Sequence, residues 1–215
     1  MTSKLINGDC LVEIGKLTDN IDYVFTSPPY NRKRNDKYDN YNDDIADYFS
    51  FLKNVTEMCL PKVNEFFIIN IMVNYYNKKD VYRYIGEYAD KIQQTIVWEK
   101  SNPLPASGHN ITNAYEFFFI IGNKPIKSNT TYTKNHITTS VNTSTNKIHK
   151  AVMNPKVADW FIEKFTKEGD TILDPFMGLG TTGVSCKKYN RNFIGIELDK
   201  QYYDIACENM KKGGE

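Results

Sequence analysis

Thirteen residues near the C-terminal end, Thr171-Ile-Leu-Asp-Pro-Phe-Met-Gly-Leu-Gly-Thr-Thr-Gly183, constrain the fold more than any other stretch. A short apolar run ends in Asp-Pro, two glycines follow one residue apart, and the threonines open a helix. Gly178 and Gly180 allow backbone to approach a ligand at the C-terminal end of a buried strand, where doubly wound sheets bind nucleotides. Gly178 to Gly183 spells G-x-G-x-x-G. Glu197 closes the next apolar run, 19 positions on (197 minus 178), where a carboxylate accepts hydrogen bonds from ribose hydroxyls. Strand, glycine turn, helix start and acid together predict a nucleoside-containing cofactor. NAD is one candidate. However, the 18 residues after Glu197 (215 minus 197) hold one helix and no further strand, so N-terminal strands must complete the sheet, an unusual order for a dehydrogenase.

Seven apolar runs bounded by turn residues read as buried strands: Lys4–Ile6, Tyr23–Thr26, Phe66–Ile71, Thr95–Trp98, Phe117–Ile121, Thr171–Leu173 and Phe193–Ile196. Helix-period segments lie between several of them. Ile45, Phe49, Leu52, Val55 and Cys59 line one face before Pro61, and a second helix is capped by Asn154 and Pro155 and buries Val157, Trp160, Phe161 and Phe165 before Gly169. Alternating strands and helices predict an α/β fold with a mostly parallel, doubly wound sheet. At 215 residues, one domain spanning 1–215 is expected. Polar stretches over 31–44 and 122–150 read as long surface loops, and loops of that length in a compact domain suggest substrate contact.

A hydrophobic content of 40% and a charged content of 25% exclude a disordered chain. No apolar run approaches the roughly 20 residues of a membrane span, and Met1 to Asp9 lacks a secretory apolar stretch, which predicts a cytoplasmic protein. Cys10, Cys59, Cys186 and Cys207 form no C-x-x-C pair and read as packing thiols rather than a metal cage. Net charge is only +1, yet no acid occurs from Phe117 to Ala158 while Lys124, Lys127, Lys134, Lys147, Lys150 and Lys156 do. That stretch suits phosphates and, equally, a solvated polar loop.

A second motif is Asp22-Tyr-Val-Phe-Thr-Ser-Pro-Pro-Tyr-Asn31, an apolar strand running into two prolines. Pro28 and Pro29 lack amide hydrogens and hold their predecessors extended, so this edge offers rigid acceptors. Ser27 Oγ and the Pro28 carbonyl can both accept from an exocyclic amino group, and Tyr30 offers a ring for a planar base to stack on, worth roughly 1–3 kcal/mol.

Together the two motifs resemble those of the amino-methylating DNA methyltransferases, in the permuted group whose catalytic motif precedes the cofactor loop. Here Ser27 precedes Asp174 by 147 positions (174 minus 27). The likeness extends to Gly8-Asp9, Trp98–Pro103, Thr112–Glu116 and His149–Pro155. It implies a seven-stranded methyltransferase sheet, S-adenosylmethionine as cofactor, no metal, and DNA as substrate, with transfer to the amino group of cytosine (N4) or adenine (N6). On that likeness Asp9, Asp174, Pro175, Phe176, Gly178, Gly180, Thr181, Thr182 and Glu197 hold the cofactor, and Ser27, Pro28, Pro29 and Tyr30 hold the flipped base. Arg32, Lys33, Arg34, Lys124, Lys127, Lys134 and Lys147 are the candidate DNA contacts. Serine at the first motif position is more typical of cytosine enzymes. Leu179 departs from the family's usual serine between the last two glycines, and the target-recognition region, between Glu116 and His149, is short. The resemblance is also compatible with a homodimer and with a cognate restriction endonuclease.

Overall fold

The computed structural model describes residues 1–32, 44–103, 112–141 and 152–212. Among these, eight strands form one sheet: β1 (Ser3–Asn7), β2 (Ile21–Thr26), β3 (Val63–Ile71), β4 (Ile92–Lys100), β5 (Tyr115–Ile121), β6 (His136–Thr139), β7 (Thr171–Asp174) and β8 (Asn192–Glu197). The spatial order is β1-β8-β7-β2-β3-β5-β4-β6. Neighbours are parallel except at β5, which runs against both β3 and β4. Helices α1 (Cys10–Lys16), α2 (Tyr48–Cys59), α3 (Lys78–Glu87), α4 (Pro155–Phe165), α5 (Thr181–Lys188) and α6 (Lys200–Lys212) cover the faces.

Because successive strand residues point to opposite faces, the apolar strands supply two cores at once. Val24, Phe67, Ile69, Ile71, Leu173 and Ile194 pack with Ile14 of α1, Leu52 of α2 and Tyr84 of α3. The alternate residues, Phe25, Ile68, Phe118, Ile120, Ile172 and Phe193, pack with Phe161 of α4, Cys186 of α5 and Met210 of α6. The first three helices thus cover one face and the last three the other, as expected of a doubly wound sheet.

Each of the seven anticipated runs lies inside a strand. The eighth strand, β6, falls within the segment read as loop. Only Ile137 of its four residues is apolar, and its pairing with β4 is helped by a hydrogen bond from Trp98 Nε1 to Thr139 Oγ1 at 2.8 Å. A strand buried through a hydroxyl leaves no apolar run to read. Helix α2 begins at Tyr48 because the Asp47 carboxylate accepts the Ser50 amide, so Ile45 lies before the helix and packs on the core from the loop. Asn154 caps α4 as anticipated, accepting from the Lys156 amide at 3.0 Å.

The topology gathers the site. Parallel β2, β3, β7 and β8 all end at one edge of the sheet, and reversed β5 begins there. Strands β2 and β7 are direct neighbours, with Val24 opposite Leu173, so Ser27 and the loop after Asp174 emerge side by side.

Candidate active site

Asp174 joins the two emerging segments. Its Oδ1 accepts from Thr26 Oγ1 at 2.7 Å and from the Phe176 amide at 3.1 Å, and its Oδ2 accepts from Thr182 Oγ1 at 2.8 Å. The carboxyl is buried and has its acid range pushed up to about 6 by desolvation, which the three donors only partly oppose. Thus Asp174 and Thr182, both anticipated at the cofactor loop, spend their polar atoms on shaping it. Pro175 is buried behind them, while Phe176 packs against Phe51 of α2.

Gly178 and Gly180 have φ of +53° and +81°, values that side chains other than glycine adopt at a cost. A Cβ at Gly178 would meet no atom within 4 Å, whereas one at Gly180 would press to 3.2 Å from Ala206 Cβ of α6. Gly178 therefore borders open space, and Gly180 allows α6 to pack close. Leu179, where the resembled family usually has serine, is buried in the protein, and its carbonyl accepts from Asn209 Nδ2 at 2.9 Å. Thr181, partly exposed, is the first residue of α5.

Glu197 ends β8 beside this loop. Its Oε2 accepts from the Gly178 amide at 2.9 Å and its Oε1 from the Asp199 amide at 2.8 Å. Burial, helped by the charges of Asp199 and Asp174, pushes its acid range up to about 7. Asp9 lies next door: the Gly8 amide donates to the Glu197 carbonyl at 3.0 Å, and Asp9 caps α1 by accepting from Leu11. An open glycine loop flanked by carboxylates at the end of parallel strands fits a nucleoside-bearing cofactor.

The Ser-Pro-Pro-Tyr turn carries an internal network that the sequence did not reveal. Ser27 Oγ lies 2.8 Å from Tyr30 OH and 3.2 Å from Asn70 Oδ1, and Tyr30 OH also bonds Asn70 Oδ1 and Glu116 Oε2, the latter at 2.9 Å. Asn70 is oriented by its amide nitrogen, which donates to the Phe117 carbonyl at 3.2 Å, so its oxygen faces the hydroxyls. Glu116, 4% exposed, is ion-paired with Lys100. Two hydroxyl hydrogens therefore face two acceptors, and Ser27 keeps a lone pair free to accept in turn. Desolvation and the neighbouring Glu116 push Tyr30 well above the usual phenol range, so it remains a protonated donor. Glu116 was unreadable in this role because the reversal of β5 is what brings the first residues of that strand to this edge.

The turn is held from behind. Tyr48 donates to the Pro29 carbonyl at 2.7 Å, and Asn31, at φ +51°, exchanges two hydrogen bonds of 3.0 Å with the Ile45 backbone. Pro28 is buried. Arg32 lies over the Tyr30 ring, 5.6 Å from its centre.

Of the anticipated DNA-contacting lysines, the described ones, Lys124, Lys127 and Lys134, are not brought here. Lys124 follows the far end of β5 and pairs with Glu65 at 2.7 Å, so a stretch without acids in sequence meets one in space. Exposed Lys127 precedes Asn129, which bonds the C-terminal end of α4, and exposed Lys134 lies just ahead of β6, whose pairing with β4 begins at Val97. Lys33, Arg34, Lys147, His149 and Lys150 lie outside the described residues.

The chain matches the model of the N6-N4 methyltransferase family of DNA methylases over residues 21–208. It belongs to this family and is a DNA methyltransferase that takes its methyl group from S-adenosylmethionine; the dehydrogenase alternative falls with that assignment. A type II methyltransferase of Haemophilus influenzae, M.HinfI, is 25% identical, the match covering 97% of this chain and 68% of that protein. M2.LlaDCHI of Lactococcus lactis subsp. cremoris is 34% identical over 57% of this chain and 52% of its own length. Among solved structures, the cytosine-N4-specific PvuII DNA methyltransferase superposes with a TM-score of 0.81 at 18% identity, covering 97% of this chain and 86% of that one. The M1.HpyAVI–SAM complex does so with a TM-score of 0.71 at 25% identity, covering 97% and 99%. Among the described residues, no helix is long and apolar enough to cross a membrane.

Proposed function

We propose that this enzyme methylates the exocyclic N4 amino group of cytosine in DNA. The observation that carries the reading is Ser27: a neutral hydroxyl at the end of β2, stripped of its role as donor by Asn70 and by Tyr30 backed by Glu116, and therefore presenting an acceptor to an amino hydrogen.

The exocyclic amine is a poor nucleophile because its lone pair is delocalised into the ring. A hydrogen bond from the amine to Ser27 Oγ, with the Pro28 carbonyl as second acceptor, favours a pyramidal nitrogen whose lone pair is free to attack in line. When bound, the cofactor supplies a methyl group on a positively charged sulfur, a good leaving group that needs no metal. The methylated nitrogen carries a positive charge and is acidic enough to lose its proton to water without a strong base, while Ser27 and Tyr30 keep their hydrogens on Asn70 and Glu116. On the cofactor side, Gly178, Gly180 and Thr181 border the methionine portion, Glu197 accepts from the ribose hydroxyls, and Asp9 accepts from the adenine amino group, with Asp174, Pro175, Phe176 and Thr182 shaping the loop. Mass spectrometry of nucleosides from unmethylated DNA incubated with the enzyme and S-adenosylmethionine is expected to show N4-methylcytosine; N6-methyladenine alone would overturn the choice of base.

Cofactor affinity is expected to depend on pH through Glu197. Ribose hydroxyls donate best to the ionised carboxylate, which forms above about pH 7 in the free protein. Affinity for S-adenosylhomocysteine should therefore fall as pH drops from 8 to 6, approaching tenfold per unit at the acid end, and Glu197→Gln should flatten the profile in calorimetry. The stability contribution has the opposite sign: a raised carboxyl range contributes fully below about pH 4.5 and loses that contribution as pH rises through about 7.

A further inference from the structure

After β3 the chain turns over the reaction edge through Met72–Asn77, and this turn is fastened to the catalytic one. Asn74 Nδ2 and Asn77 Nδ2 each donate to the Tyr30 carbonyl at 2.8 Å. Asn77, wholly buried, also donates to the Met72 carbonyl at 2.9 Å and accepts from the Asn74 amide at 2.7 Å, while Asn74 Oδ1 accepts from the Tyr76 amide at 2.8 Å. The result of this bonding is to hold two tyrosine rings out in water. Tyr75 is 77% exposed and Tyr76 55%, their rings meet edge to face at 5.4 Å, and Lys78 Nζ lies 4.8 Å from the Tyr75 ring centre.

A buried and a half-buried amide fixing exposed aromatic rings are hard to account for by folding alone, since the rings gain no apolar cover. Of the five tyrosines more than half exposed among the described residues, three (Tyr75, Tyr76 and Tyr115) stand at the edge that carries Ser27. Flat rings beside a cation are complementary to bases beside phosphates. Lys124 and Lys127 lie away from this edge, whereas Lys78 and Arg32 are on it.

We propose that Tyr75 and Tyr76 form a stacking surface for bases of the substrate DNA next to the extruded nucleotide, with Lys78 on an adjacent phosphate. This rests on the reading of the Ser27 turn as the pocket for that nucleotide. Because both asparagines hold the Tyr30 carbonyl, DNA seated on the rings is registered directly against the turn that receives the base.

The test is transfer of tritiated methyl from S-adenosylmethionine to unmethylated genomic DNA by wild type and by the Tyr75→Ala, Tyr76→Ala double variant. The expected result is a KM for DNA raised about 10- to 100-fold, with kcat within about threefold and S-adenosylhomocysteine affinity unchanged. Tyr75→Phe, Tyr76→Phe, which keeps both rings, should restore most of the affinity. Tyr82→Ala, removing a 64% exposed ring midway along α3, should leave the KM for DNA at the wild-type value. Lys78→Ala should reduce the slope of log affinity against log salt by about one. An unchanged KM in the double variant, or a loss confined to kcat, overturns the stacking surface while leaving the Ser27 reading in place. A wild-type enzyme that binds cofactor but transfers nothing to DNA overturns both.

Discussion

Ser27→Ala is expected to lower kcat for methyl transfer about 10²- to 10³-fold, the range seen when one preorganised hydrogen-bonding group is removed from the reacting centre. Cofactor affinity should be unchanged, because among the described residues Ser27 is linked to the glycine loop through its neighbour Thr26 and Asp174 rather than by its own hydroxyl. Glu116→Gln should produce a smaller loss of about 10- to 30-fold, in line with the loss of one charge-assisted hydrogen bond. Glutamine can turn a donor toward Tyr30, which reverses the direction of the hydroxyl chain and leaves Lys100 without its buried counter-charge. Single-turnover measurement separates the chemical step from product release. Wild-type single-turnover rates in Ser27→Ala would remove the hydroxyl from the mechanism, and equal effects of Glu116→Gln on rate and on cofactor affinity would recast Glu116 as merely structural.

Asp174→Ala is expected to lower the melting temperature by about 6–12 °C. Three donors, from Thr26, Phe176 and Thr182, lose their acceptor in a buried place, a cost of about 3 kcal/mol after the hydroxyls turn to other partners, and a chain of this size shifts by about 2–4 °C per kcal/mol. Asp174→Asn distinguishes shape from charge. The amide keeps most of these hydrogen bonds and never ionises, whereas the wild-type carboxyl, pushed up to about 6 by burial, must ionise in a dry site at higher pH. Its favourable contribution is complete below about pH 4 and is lost as pH rises through about 6. At pH 8 Asp174→Asn should therefore melt at or above the wild type, and the two curves should converge toward pH 5. If Asn melts as low as Ala at pH 8, the negative charge itself holds the loop.

Readability of the fold and site from sequence followed the physics of each element. The buried parallel strands announce themselves as continuous apolar runs such as Phe66–Ile71, and Asn154-Pro155 and the Gly178 loop advertise their backbone geometry locally. What stays hidden depends on pairing between distant strands. Asn70 and Glu116 are 46 positions apart (116 minus 70) and look like ordinary polar residues until the antiparallel register of β3 and β5 sets them on the same hydroxyl. Charge by position was misleading for the same reason, since Lys124 finds Glu65 across the sheet. The tyrosines at 75 and 76 carry no motif, and their placement depends on two asparagines whose partner lies 44 and 47 residues earlier.

The clasp between Asn31 and Ile45 ties the start and finish of the interval 32–44 to each other by backbone-directed hydrogen bonds. Both flanks are thereby fixed beside the catalytic turn, with Arg32 reaching back over the Tyr30 ring. A change of length confined to 33–43 is therefore expected to leave both bonds, and the seat of the Ser27 turn, in place.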